Sequence, residues 1–294
     1  MEYRNRVNTI FTTVFGDHIR KKFESVILSL AGLGFLIHLL LIALKANEIS
    51  FLVGTNSSLL NDPITAIYTP FSLILIYEVY LLVFYLPRSF TSCVSKQFEI
   101  ISLIVIRKIF KDIPLMDLKG DWYLSQHNLE LVVDLFGFLF LFLLIFFFNK
   151  GKNKFPKKEV IDPKLLKFIN SKKIVSLVLL TLLVSASIYS LATWSLNLYN
   201  DRFVNNIDSV FFNQFFTLLI LTDVIILLIS FRYTEEYSKL IRNTGFIIAT
   251  ILIRLSFSAD GFLNIILILT GVIFALLILQ IYNAMEDSKP DSTL

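Results

Sequence analysis

From Ser25 to Leu44 the chain runs for twenty residues with His38 as its only ionisable side chain. About 20 apolar residues are enough to cross a bilayer, and runs of similar character recur to the end of the sequence. That repetition leaves few soluble folds open. The chain has 294 residues, 55% of them hydrophobic, with 29 Phe and a mean hydropathy of +0.72. One soluble core of this length does not hide so much apolar surface, so the composition predicts an integral membrane protein. The first run is too long for the apolar region of a signal peptide, and no small-residue cleavage site follows it. It therefore reads as the first spanning helix.

Helices are predicted at 25–45, 69–87, 97–111, 129–149, 173–197, 209–231, 243–258 and 261–283. Two of these, 97–111 and 243–258, are short and each carries an arginine, so hydropathy alone would report six spans. Counting both as spans brings order to the charges. Twenty Lys and Arg then fall on one side and four on the other (Lys45, Lys111, Lys119 and Arg202). The positive-inside rule expects that bias for eight spans with both termini cytoplasmic. Dropping one short helix inverts everything after it. Dropping both leaves a six-span alternative that must bury two helical segments or lay them flat. The fold class expected is an all-α polytopic membrane protein, placed in a bacterial cytoplasmic membrane.

One arrangement occurs twice. Ile76 to Asp112 holds a helix with Glu78, a break at Pro87-Arg88, and an apolar run ending in Ile106-Arg107-Lys108. Leu221 to Asp260 holds a helix with Asp223, a break around Arg232, and an apolar run ending in Ile253-Arg254-Leu255. Aligning the halves sets His38 opposite Tyr189 and Asp134 opposite Ile268. The chain divides into a basic N-terminus (1–24), a first four-helix repeat (25–149), a Lys-rich cytoplasmic linker (150–172), a second repeat (173–283) and a tail (284–294). An even number of helices per repeat keeps both copies the same way up. The repeats are then parallel, related by an axis along the membrane normal.

The segment from Phe71 to Asp112, with Tyr77-Glu78 and Ile106-Arg107, resembles the middle of the phosphate-starvation-inducible E (PsiE) family. Ile251-Leu252-Ile253-Arg254-Leu255, continuing through Asp260 to Tyr282, is similar to its last two helices. That family is a small four-helix membrane protein, so the resemblance implies two such modules in tandem. The acid of the family's final helix is matched by Glu130 in the first copy but by Asn264 in the second. Asp223 also lacks the aromatic that precedes Glu78. The resemblance implies a fold and brings no activity with it.

A charge at mid-bilayer costs about 2.5–3.5 kcal/mol on insertion scales, so Glu78, Arg107, Asp223 and Arg254 are expected to pair. Nine residues separate Glu78 from Pro87 and eleven separate Lys96 from Arg107. At 1.5 Å per residue those spacings put both groups at about the same depth, as they do for Asp223 and Arg254. Glu78–Arg107 and Asp223–Arg254 contacts follow, each suited to a two-point guanidinium–carboxylate bond. Two uses stay open. The pairs can be clamps that set helix register, or they can be the centre of a route for protons or small cations. His38 and Asp134 are the further candidates for such a route. Tyr189 opposite His38 favours packing for that histidine. One arginine per half is too few for steep voltage gating.

Nine lysines lie between Lys150 and Lys173, among them Lys152, Lys154, Lys157 and Lys158, against Glu159 and Asp162. Such a run attracts anionic headgroups or a cytoplasmic partner. With no arginine and few aromatics it is a poor nucleic-acid binder. The single Cys93 and three scattered His exclude a disulfide framework and a metal set. No phosphate loop or aligned nucleophile and base is visible, so neither an enzyme nor a cofactor is expected. The leading expectation is a channel or transporter for protons or small cations. The alternative is a non-transporting scaffold or stress-linked subunit, and self-association is open in both.

Overall fold

The computed structural model describes residues 9–47, 63–113, 116, 125–152, 163–199, 207–234, 236–259 and 261–288. Eight long helices lie among them, and no strand does: α1 (Asp17–Ala46), α2 (Tyr68–Tyr85), α3 (Phe90–Asp112), α4 (Gln126–Lys152), α5 (Pro163–Tyr199), α6 (Ile207–Tyr233), α7 (Tyr237–Ser256) and α8 (Phe262–Asp287). Six of them (α1, α2, α4, α5, α6 and α8) are long and apolar enough to cross a membrane. Their outward faces carry large apolar side chains such as Leu36, Leu139, Leu228 and Phe136, the last 70% exposed. A surface of that kind needs lipid against it. The chain is a multi-pass membrane protein.

α3 and α7 fail the apolarity test, but they are not short. Each begins well before the expected limits of 97 and 243. The polar first turns, Thr91–Gln97 and Tyr237–Arg242, give no hydropathy signal, yet they are helical. Ser89 caps α3 by accepting the Ser92 amide at 3.3 Å. With 23 and 20 residues, α3 and α7 are about 34 and 30 Å long, enough for a crossing.

Packing explains why these two helices can be polar. Within each half, neighbours in sequence are neighbours in space: α1 packs on α2, α2 on α3 and α3 on α4, then α5 on α6, α6 on α7 and α7 on α8. The halves meet where α3 crosses α7 and α4 meets α8, with α2 also touching α5. Helices α3, α4, α8 and α7 therefore close a central ring of four. The two halves thus share one mixed bundle, with α1–α2 and α5–α6 packed outside the ring. Phe98 of α3, Phe148 of α4 and Phe246 of α7 are fully buried at its middle, with ring centroids 5.0 and 5.7 Å apart.

Close approach in the ring depends on glycine. A Cβ on Gly137 of α4 would lie 2.3 Å from Ile265 Cγ1 of α8, and one on Gly271 of α8 would lie 2.8 Å from Ile253 Cγ1 of α7. Gly32 on α1, which sequence reading groups with the small packing residues, has nothing within 4 Å.

Consecutive helices run antiparallel, and the two ends of the bundle differ. At one end Ser95 donates to Asn149 (2.6 Å), Ser238 to Glu286 (3.2 Å), and Asn283 to the Gly151 carbonyl (3.1 Å). This end also carries Arg88, Lys96, Arg232 and Lys239, and is called the basic end below. At the other end Asn264 donates to the Ser256 carbonyl at 2.8 Å and His127 lies 3.5 Å from the Asp112 carbonyl. α4 runs through Lys152 and α5 starts at Pro163, so the segment 150–172 is partly helical. Lys154, Lys157 and Lys158 lie outside the described residues.

Gly137→Leu is expected to lower the melting temperature in detergent by several degrees, since overpacking a tight contact costs about 1–3 kcal/mol. Gly32→Leu should melt as wild type does. Equal melting of both variants would remove the α4–α8 contact from the fold.

Candidate functional site

Among the described residues three ion pairs link helices in the interior, and α3 takes part in two of them. Glu78 on α2 and Arg107 on α3 are both buried, with Oε2 and Nη2 2.8 Å apart. Arg107 Nη1 turns instead to the Phe71 carbonyl, donating at 2.9 Å. The two-point bond to the carboxylate therefore does not form, because the guanidinium is shared between the acid and the first turn of α2. In the second half, Asp223 on α6 and Arg254 on α7 are 2.6 Å apart through Oδ2 and Nη1, and both are buried. Thr250 Oγ1 is 3.0 Å from the same Oδ2. Neither Nη1 nor Nη2 of Arg254 has an aligned acceptor among the described residues. That pair is held by charge and proximity more than by directed hydrogen bonds. Beside it lies a void of about 10 Å³, lined in part by Asp223, Thr250 and Lys172. Such a space is at the lower limit for one water. Each pair joins an outer helix to the central ring.

The third pair escaped sequence reading. Lys108 Nζ donates to Asp134 Oδ2 at 2.9 Å, linking α3 to α4. Adjacent residues of a helix point about 100° apart, so Arg107 reaches back to α2 while Lys108 reaches forward to α4. Asp134 is only 4% exposed, whereas the Lys108 side chain is 38% exposed. Both line a cavity of about 590 Å³ at the end opposite the basic one, with Asp112, His127 and Glu130 on its wall. The turn between α7 and α8 closes one side. Gly261 there has φ 61°, a backbone state that favours glycine, and a Cβ on it would lie 3.2 Å from Glu130 Oε1. The helical pattern of α4 identified Asp134 but could not name Lys108, which sat at a helix end and was assigned to neither face.

The other candidates are dispersed. His38 Nδ1 lies 2.6 Å from Thr69 Oγ1, holding α1 to the start of α2. Tyr189, opposite it in the aligned halves, is 71% exposed. Lys150 is exposed. Lys152 turns inward, donating to Ser95 Oγ at 2.8 Å and Asn149 Oδ1 at 3.4 Å. Lys172, counted as the end of the linker, is 3% exposed and donates to the Arg88 carbonyl at 2.5 Å. A signal for it existed. Phe168, Lys172, Ser176, Leu179 and Leu183 follow helical spacing, and all are buried.

No family model, curated protein or solved structure matches the chain.

Removing one member of a buried pair leaves an uncompensated charge, at a cost of about 3–5 kcal/mol, whereas apolar replacement of both is often neutral. Asp223→Leu is therefore expected to melt far below wild type, and Asp223→Leu with Arg254→Leu to recover most of the loss. A double variant no more stable than the single one would show that the two residues do not act as a pair.

Proposed function

We propose that the chain is an eight-span protein of the cytoplasmic membrane that moves protons or small cations, with Lys108–Asp134 as its ion-accepting group. The observation that carries this reading is the cavity of about 590 Å³ reaching a buried carboxylate. Intramembrane ionisable groups commonly mark ion routes, and a route needs solvent at one of them. Asp134 has solvent beside it, while Asp223 has space for a single water at most. Lys108 serves as the resident cation. Its long, partly exposed stem lets the ammonium swing into the cavity while an incoming cation or proton takes its place on Asp134. Glu78–Arg107 and Asp223–Arg254 are the clamps that hold the outer helices in place. The positive-inside bias supports putting the basic end and both termini in the cytoplasm, with the cavity facing outward. Each half repeats the helix order and the acid–arginine placement, which supports two tandem PsiE-like modules.

A second reading keeps the same clamps in a non-transporting scaffold. The dryness of the Asp223–Arg254 pair favours it.

Flux into sealed liposomes, followed with pH- and potential-sensitive dyes, separates the two. Wild type is expected to conduct, Asp134→Asn to lose at least tenfold, and Lys108→Gln to change the rate without abolishing it. Absence of flux under every imposed gradient, with each variant folded, would establish the scaffold instead.

A further inference from the structure

At the basic end a second cleft of about 630 Å³ opens between the α2–α3 turn, the start of α5 and the α6–α7 turn. Arg88, Lys172, Lys173, Lys239 and Arg242 all contribute to its wall, and among the described residues no carboxylate does. Three of these cations are engaged near the rim, Lys173 over the Phe11 ring at 5.3 Å from its centroid. Lys239 meets Glu236 at 2.5 Å, and Arg242 donates to Asn243 Oδ1 at 2.9 Å while lying over the Tyr282 ring. Lys172 differs from them. Its ammonium is buried, it donates to the Arg88 carbonyl, and it lies 4.7 and 5.4 Å from the Phe90 and Phe168 ring centroids. Among the described residues no carboxylate forms a salt bridge with it, and Asp223, which shares the small void with it, is paired with Arg254. A buried ammonium has three donors and calls for an anion.

We propose that this cleft binds the phosphate-bearing headgroup of an anionic phospholipid, with Lys172 as its anchor. Cations clustered between membrane helices hold such headgroups, and the excess of positive charge on this wall suits a phosphodiester. Phe11, Phe15, Phe84 and Phe168 give the same cleft an apolar side, which suits the glycerol and first acyl carbons and is of no use to a free anion. The position fits as well, since the cleft lies at the ends of spanning helices, where headgroups reside. The site uses none of the lysines from 150 to 158 and requires only that the chain spans a membrane. It does not depend on the transport reading.

The test uses the full chain, stripped of lipid in a neutral detergent, and native mass spectrometry. Short-chain phosphatidylglycerol, short-chain phosphatidylcholine and inorganic phosphate are titrated separately. Saturable binding of one phosphatidylglycerol is expected, at least tenfold tighter than phosphatidylcholine. Lys172→Gln should weaken it at least tenfold. The paired rim variant Arg88→Gln with Lys173→Gln should weaken it severalfold and carries the test if Lys172→Gln fails to fold. Equal binding of the two lipids, or rim and Lys172 variants that bind as wild type does, overturns the site. Inorganic phosphate binding as tightly as phosphatidylglycerol, in competition with it, overturns the lipid assignment in favour of a soluble anion.

Discussion

Hydrocarbon charges several kcal/mol for an unpaired ion, and that constraint arranges this molecule from the inside out. Arg107 and Arg254 cannot face lipid, so α3 and α7 must be interior helices. Each arginine then needs a carboxylate at its own depth, and Glu78 and Asp223 supply one from the helix just before. The pairing pulls α2 and α6 against the centre, while α4 and α8 close the ring from the other side. The arginine-bearing helices α3 and α7 sit in the ring, and the apolar helices turn large side chains outward to lipid, the reverse of a soluble bundle.

The ring also explains why the halves must touch as they do. α3 meets α7, and α4 meets α8, so each half supplies two of the four ring helices. Within that frame the halves have different chemistry. The first carries Lys108 and Asp134 beside an open cavity. At the aligned places the second carries Leu255 and Ile268, and Asn264 bonds backbone there instead.

The two ends serve different chemistry for a similar reason. At the basic end both hairpin turns converge on α5, so cations far apart in sequence, such as Arg88, Lys172 and Lys239, share one wall. At the far end the wall is mixed, with Lys108 and His127 facing Asp112, Glu130 and Asp134. Charge sign thus changes from one end of the membrane-spanning core to the other.

Local periodicity and the expense of charge in lipid are properties of the chain itself, so much could be read without coordinates. Eight helices, the turns between α2 and α3 and between α6 and α7, and the partners of Glu78 and Asp223 all follow from spacing and depth. What spacing cannot carry is azimuth. Whether Lys108 points to α4 or to lipid, whether Lys152 turns in or Lys150 turns out, and whether Lys172 is solvated or buried depend on which helix lies alongside. The starts of α3 and α7 were missed because polar first turns look like loop until packing covers them. The closed ring of α3, α4, α8 and α7 was beyond the sequence for the same physical reason. Contacts between distant helices are set by how side chains such as Gly137 and Ile265 interlock, and that complementarity exists only once the helices have met.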